Sequence, residues 1–147
     1  IITTSISMLF PKKVKYRKWQ TARKNADKVV RPATRGITIA FGSFGLKAET
    51  TSRITSNQIE SARKAMVRSL GKTAKTWIRV FPDRPVTKKA AEVPMGKGKG
   101  DPQGYCFEVH PGRVLFEVDG VDEKTAREAL RKAGTKLPVK TRVVSRV

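Results

Sequence analysis

Between Met8 and Arg35 the chain carries ten basic residues against a single acid, Asp27, and this stretch limits the possible folds more than any other. Lys12, Lys13, Lys15, Arg17, Lys18, Arg23, Lys24, Lys28, Arg31 and Arg35 repel one another, and few apolar residues stand between them. Such a segment buries too little surface to offset the entropy of ordering it. It is expected as an extended or partly disordered arm until counter-charge orders it. The total length of 147 residues suits one domain able to bury roughly 70% of its unfolded surface. The expected organisation is a basic extension over 1–35 and a single globular domain over 36–147, with a flexible loop over 94–104.

Across the whole chain 32 Lys and Arg face 12 Asp and Glu, a net charge of +20. That field attracts polyanions. No stretch approaches the roughly 20 apolar residues of a membrane span, so no membrane partner is expected. Ile1 to Ser7 is short and lacks basic residues, and does not read as an intact signal or transit peptide. One cysteine, Cys106, and one histidine, His110, offer at most two soft ligands, so neither a metal site nor a cofactor is expected. With one histidine there is no strong nucleophile-base pairing to argue, and the acids fit other uses. Glu108 and Glu117 alternate with apolar strand residues, while Asp119, Asp122 and Glu123 suit turns and caps.

From Gly36 onward the pattern is globular. Ile37 to Phe41 alternates like a half-buried strand ended by Gly42. Thr55 and Gln58 have capping-box spacing, and Ile54 and Ile59 the spacing of a hydrophobic staple, which sets a helix start near Thr55. Ile59, Ala62, Met66 and Leu70 share one face of that helix, Lys64 and Arg68 point the other way, and Gly71 marks the stop. Lys75 to Phe81 reads as a strand. Tyr105–His110 and Arg113–Val118 read as a hairpin through Pro111-Gly112, in a type II turn that suits hairpin twist less well than the primed types. A second helix starts at an Asp122 cap and buries Ala126, Ala129, Leu130, Ala133 and Leu137 before Gly134 and Pro138 end it. Thr141 to Val147 reads as a last strand. The expected fold is α+β, two helices on a mostly antiparallel sheet with a basic extended N-terminal arm.

Two segments carry the candidate chemistry. In Met95-Gly96-Lys97-Gly98-Lys99-Gly100 glycine frees the backbone and lysine supplies a compact charge, a pairing suited to phosphate contact or to a solvated loop. If extended, the loop would point Lys97 and Lys99 the same way. It is not a triphosphate-binding loop, since Lys99 is followed by Gly100 rather than Ser or Thr. In Lys15-Tyr16-Arg17-Lys18-Trp19 cations can meet phosphate, while Tyr16 and Trp19 either stack on unpaired bases or anchor the arm on its own domain. The candidate RNA contacts are Lys12, Lys13, Lys15, Tyr16, Arg17, Lys18, Trp19, Arg23, Lys24, Lys64 and Arg68.

Met8-Leu9-Phe10-Pro11-Lys12-Lys13, Phe41 to Ala48, Gln58 to Met66, Trp77 to Asp83 with Pro85 to Lys89, Met95 to Gly100, Pro111 to Glu117, Ala126 to Leu130 and Lys136 to Thr141 resemble, in order, the bacterial-type sixteenth protein of the large ribosomal subunit, a family with an archaeal and eukaryotic counterpart. The resemblance covers nearly everything from Met8 to Arg142. It implies an α/β-hammerhead-like domain lodged in large-subunit rRNA near the central protuberance, shaping the aminoacyl-tRNA site. Its implied partners are large-subunit rRNA, tRNA and neighbouring ribosomal proteins, without a homo-oligomer. Its implied location is the large subunit, in the bacterial cytoplasm or an organellar matrix. The loop Met95 to Gly100 would reach toward the peptidyl-transferase region and the arm would insert among rRNA helices. Peptide bond formation belongs to the RNA, so the implied role is positioning and charge neutralisation and not catalysis. Three stretches depart: Pro94 stands where the family usually has Arg, Thr21 to Thr34 lacks the usual Gly/Arg-rich run, and Asp101 to Cys106 differs after the loop. The rival readings are a free nucleic-acid chaperone, which would not need the ordered motifs, and an RNA-modifying enzyme, which would need a cofactor fingerprint or catalytic cluster.

Overall fold

A computed structural model describes residues 9–20 and 30–147. Seven strands and two long helices follow one another as β1 (Phe44–Ala48), β2 (Ser52–Thr55), α1 (Ser56–Leu70), β3 (Lys75–Ile78), β4 (Arg84–Lys88), β5 (Asp101–Val109), β6 (Val114–Asp119), α2 (Glu123–Gly134) and β7 (Thr141–Ser145). The α+β class holds, but the strands divide between two sheets, ordered β3-β6-β1-β7 and β2-β5-β4, with every neighbouring pair antiparallel.

Both helices form where local chemistry marks them. Gln58 accepts a hydrogen bond from the Thr55 backbone N–H at 3.0 Å, satisfying a donor next to the orphaned first turn, and the Gly71 N–H closes the far end on the Val67 carbonyl at 3.2 Å. Ile54 and Ile59, flanking the start, are both fully buried. At α2 the Asp122 carboxylate accepts from the Thr125 N–H at 3.2 Å and from its hydroxyl at 2.7 Å. Those bonds, the hydroxyl first, hold the Asp122 carboxyl below its ordinary range. Asp122→Ala removes this cap and should lower the denaturation midpoint with an unchanged denaturant slope.

The core joins the helices to the four-stranded sheet. Helix α2 lies on β1, β6 and β7, and α1 lies on α2 and β2. Ile59, Ala62 and Met66 of α1 meet Ala126, Ala129, Leu130 and Ala133 of α2, and Leu46, Phe116 and Val118 close the layer from the sheet. The alanines matter for geometry, because small side chains let the two helices and the sheet approach closely. Each fully buried Leu or Phe here contributes about 1.5–3 kcal/mol.

Three expectations are corrected. Ile37 to Phe41 is not a strand. This segment crosses the outer face of the four-stranded sheet: the Gly36 carbonyl accepts from Val114 N–H at 2.8 Å, and Ile39 lies 3.1 Å from where a Cβ on Gly45 would stand. Ile39 is the one residue of Ile37 to Phe41 that is partly covered, and among the described residues the first strand begins at Phe44. Secondly, the Pro111-Gly112 turn exists, with Arg113 N–H donating to the His110 carbonyl at 3.3 Å and Gly112 at φ 97°, a left-handed value that glycine tolerates. It does not make a hairpin, because β5 pairs with β2 and β4 while β6 pairs with β1 and β3. The turn is a corner between sheets. Thirdly, Asp101 to Gly104, expected within the loop, already belongs to β5.

Glu117 also differs from expectation. It is completely buried, and its carboxylate accepts from the N–H groups of Ala40 at 3.0 Å, Phe41 at 2.7 Å and Gly42 at 2.8 Å, and from the Arg79 guanidinium. Burial alone would push its pKa up, but the three backbone donors and Arg79 together outweigh that and hold it below the usual carboxylate range. Alternation puts it on the face away from the helices, as in a solvated strand. The crossing segment turns that face into an interior.

Candidate nucleic-acid interface

Residues 9–20 contain neither helix nor strand and are fastened to the domain. Leu9 packs against the core, the Phe10 ring meets the Tyr105 ring edge-on at 6.2 Å, and the Trp19 ring sits beneath the Arg84 guanidinium at 5.7 Å. These apolar contacts hold a segment that electrostatics alone would drive away. Lys12, Lys13, Lys15, Tyr16 and Arg17 are exposed between the anchors, and Lys18 is half-buried. Tyr16 is 60% exposed, and the Lys15 ammonium stands 5.4 Å from its ring centroid. The two aromatic residues differ in degree: Trp19 meets Arg84 yet stays 41% exposed, and Tyr16 is more open still. Arg23 and Lys24 lie outside the described residues.

The loop over Met95 to Gly100 is built from left-handed backbone, with φ of 109° at Gly96, 57° at Lys97 and 91° at Gly98. Extended geometry is therefore absent, and Lys97 and Lys99 do not act as a parallel pair. Lys99, though exposed, donates to the Trp19 carbonyl, while Lys18 donates to the Lys99 carbonyl at 3.3 Å. Lys89 donates to the Gly96 carbonyl from the opposite side. Lys97 is exposed, and Met95 at the tip is 96% exposed. Arg17 and Asp101 approach to 4.0 Å, both highly exposed, a contact worth little in water. The arm and the loop, separated by some eighty residues in sequence, form one continuous surface.

Lys64 and Arg68 are exposed on α1, and no contact among the described residues joins them to the arm or the loop. Sequence reasoning also passed over the support beneath this surface. Arg84 is 8% exposed and pairs with Glu108, which also meets Arg53 at 3.4 Å. Burial first, and then the charge of Arg53, lower the Arg84 pKa. Arg84 thereby presents a fixed cation to the Trp19 ring. A usable signal for Lys89 was present in the basic pair Lys88-Lys89 shortly before the loop. None existed for Arg84, because Pro85 beside it reads as a break in any strand. Burial likewise pushes the Cys106 thiol up, as befits an inert core side chain. Among the described residues no three His, Cys, Asp or Glu side chains gather to hold a metal ion.

Residues 11–144 match the family described as ribosomal protein L16p/L10e. A large ribosomal subunit protein uL16 from Halorhodospira halophila is 55% identical over 139 residues, covering 95% of this chain and 98% of the relative. Proteins of the same description from Afipia carboxidovorans and Rhodopseudomonas palustris are each 51% identical over 140 residues, with the same coverage.

Proposed function

Because the chain belongs to the ribosomal protein L16p/L10e family, we propose that its arm and its glycine-lysine loop act as a single cationic surface within the large ribosomal subunit, the arm held by rRNA and the loop tip facing tRNA. The protein is a structural constituent of that subunit, associated with rRNA and neighbouring ribosomal proteins in the cytoplasm, and is not an enzyme. The observation that carries the joint reading is the Lys99 ammonium on the Trp19 carbonyl, reciprocated by Lys18 on the Lys99 carbonyl. An arm seated in rRNA would then position the loop, and Met95 and Lys97 would be the groups left to meet tRNA. In this reading residues 1–35 are the rRNA-binding extension, Lys64 and Arg68 contact rRNA elsewhere, and one copy serves each subunit.

Photo-crosslinkable residues at Met95 and Tyr16 test it in assembled ribosomes. Position 95 should crosslink to tRNA only when the aminoacyl site is filled, and position 16 to rRNA regardless. Crosslinks from position 95 that ignore tRNA and go to another protein would refute the loop's assignment.

A further inference from the structure

A second cationic feature lies away from the arm and loop. Residues 31–35 wall off a cavity of about 360 Å³ against the corner between β5 and β6, with Arg31, Arg35, Phe107, Glu108, His110 and Arg113 around it. The wall is fixed by backbone bonds: Ala33 N–H donates to the Pro111 carbonyl at 2.8 Å, and the Gly36 carbonyl accepts from Val114. Arg113 is the telling residue. Its terminal nitrogens donate to the carbonyls of Arg35 at 3.1 Å and Arg79 at 3.2 Å, and its guanidinium lies over the Phe107 ring at 5.3 Å. Its Nε is buried and has no hydrogen-bond partner among the described residues, and the same is true of Nδ1 of His110. Arg113 forms no ion pair with any described acid, and the one carboxylate at the cavity, Glu108, is engaged by Arg53 and Arg84. Three arginines around one cavity, with its one carboxylate already paired elsewhere, leave a local positive charge that an anion would balance.

We propose that this cavity is a phosphate-binding pocket that seats one phosphodiester of large-subunit rRNA. The Arg31, Arg35 and Arg113 side chains around the cavity supply the positive charge that holds the phosphate oxygens, and His110 lines the same cavity. The proposal rests on the rRNA-binding reading above and adds a specific subsite to it. It gives the corner between the sheets a role: RNA seated there would bridge segment 31–35 to both sheets at once.

The test is the salt dependence of binding, because each phosphate contact contributes about 0.7–0.9 to the slope of log K against log salt. The full chain would be bound to large-subunit particles lacking this protein across a series of KCl concentrations. Arg35→Gln should lower the slope by about one such step, and its fold should persist because only its carbonyl, not its side chain, supports Arg113. Arg113→Gln should lower the slope by the same step, Arg113→Lys should retain it, and the Arg35→Gln Arg113→Gln double variant should lose one step and not two. An unchanged slope in Arg35→Gln, or additive loss in the double variant, would overturn the shared pocket. Wild-type chain that showed no salt-dependent binding would instead sink the parent reading. Inorganic phosphate titrated into the free chain at constant ionic strength addresses the other source of the same chemistry. Saturable binding there, with the RNA slope unaltered in Arg35→Gln, would make this a free-phosphate site and overturn the assignment to RNA.

Discussion

Glu117→Leu should lower stability by about 3–5 kcal/mol, enough to unfold a domain whose total stability is typically about 5–15 kcal/mol. The variant strands the Arg79 guanidinium in a site made for an ion pair, and it removes the acceptor of three backbone N–H groups at once. The reverse change is milder. Arg79→Met leaves the carboxylate with its three backbone donors, and should cost well under the Glu117→Leu loss. Equal losses, measured by urea denaturation followed by circular dichroism, would show that the ion pair and not the backbone cradle carries the effect. The pH dependence has a definite sign. The folded carboxyl titrates below the unfolded value of about 4.3, so its contribution is full above that value and is lost as pH falls through the folded pKa. Wild type should therefore lose stability on acidification in that window, and Glu117→Gln should lose less, from a lower starting point.

The second large effect concerns the arm. Neutralising Lys12, Lys13, Lys15 and Arg17 together should remove up to four phosphate contacts, lowering the salt slope by about 3. Incorporation into large subunits should then fail at salt concentrations the wild type tolerates, as followed by sucrose-gradient sedimentation and mass spectrometry. The loop lysines should not behave alike. Lys97→Ala removes an exposed charge that makes no hydrogen bond or ion pair among the described residues, and should slow tRNA accommodation while assembly proceeds. Lys99→Ala also releases the Trp19 carbonyl, so it should impair both steps. Indistinguishable phenotypes for the two single variants would contradict the division drawn from their geometry.

The helices were legible because their signals are local. Thr55, Gln58 and Gly71 bracket α1 and Asp122 opens α2, each acting within a turn or two of its own position. Strand partners are not local. Nothing in Tyr105–His110 or Arg113–Val118 says that a turn between them redirects the chain into another sheet, and the type II geometry, poorly matched to hairpin twist, was the single hint. Of Ile37 to Phe41 only Ile39 is partly covered, over Gly45, so the alternation that reads as a strand does not correspond to alternating burial. Glu117 was misread because its environment is created by residues some seventy-five positions earlier. Among the missed strands, β2 is short and polar, and β4 contains Pro85, acceptable there because β4 is an edge. At the site, charge announced both cationic segments from sequence, but their junction through Lys18, Lys99 and Trp19 is a tertiary fact.

The partition of strands sets a timetable for the chain's own synthesis. Every ladder made by β1, β2, β3 and β4 is with β5, β6 or β7, and none is with another of the four. β5 and β6, which between them make four of the five ladders, are consecutive, so the stretch from Asp101 to Asp119 completes most of both sheets almost together. A nascent chain emerging at about 5–20 residues per second holds Phe44 without a ladder partner for on the order of 4–15 s before Asp119 is made. During that interval four unpaired strands are open to wrong neighbours, and only the helix α1 can form ahead of them. A protein destined for the ribosome thus leaves one in a state that favours holding factors until its last third arrives.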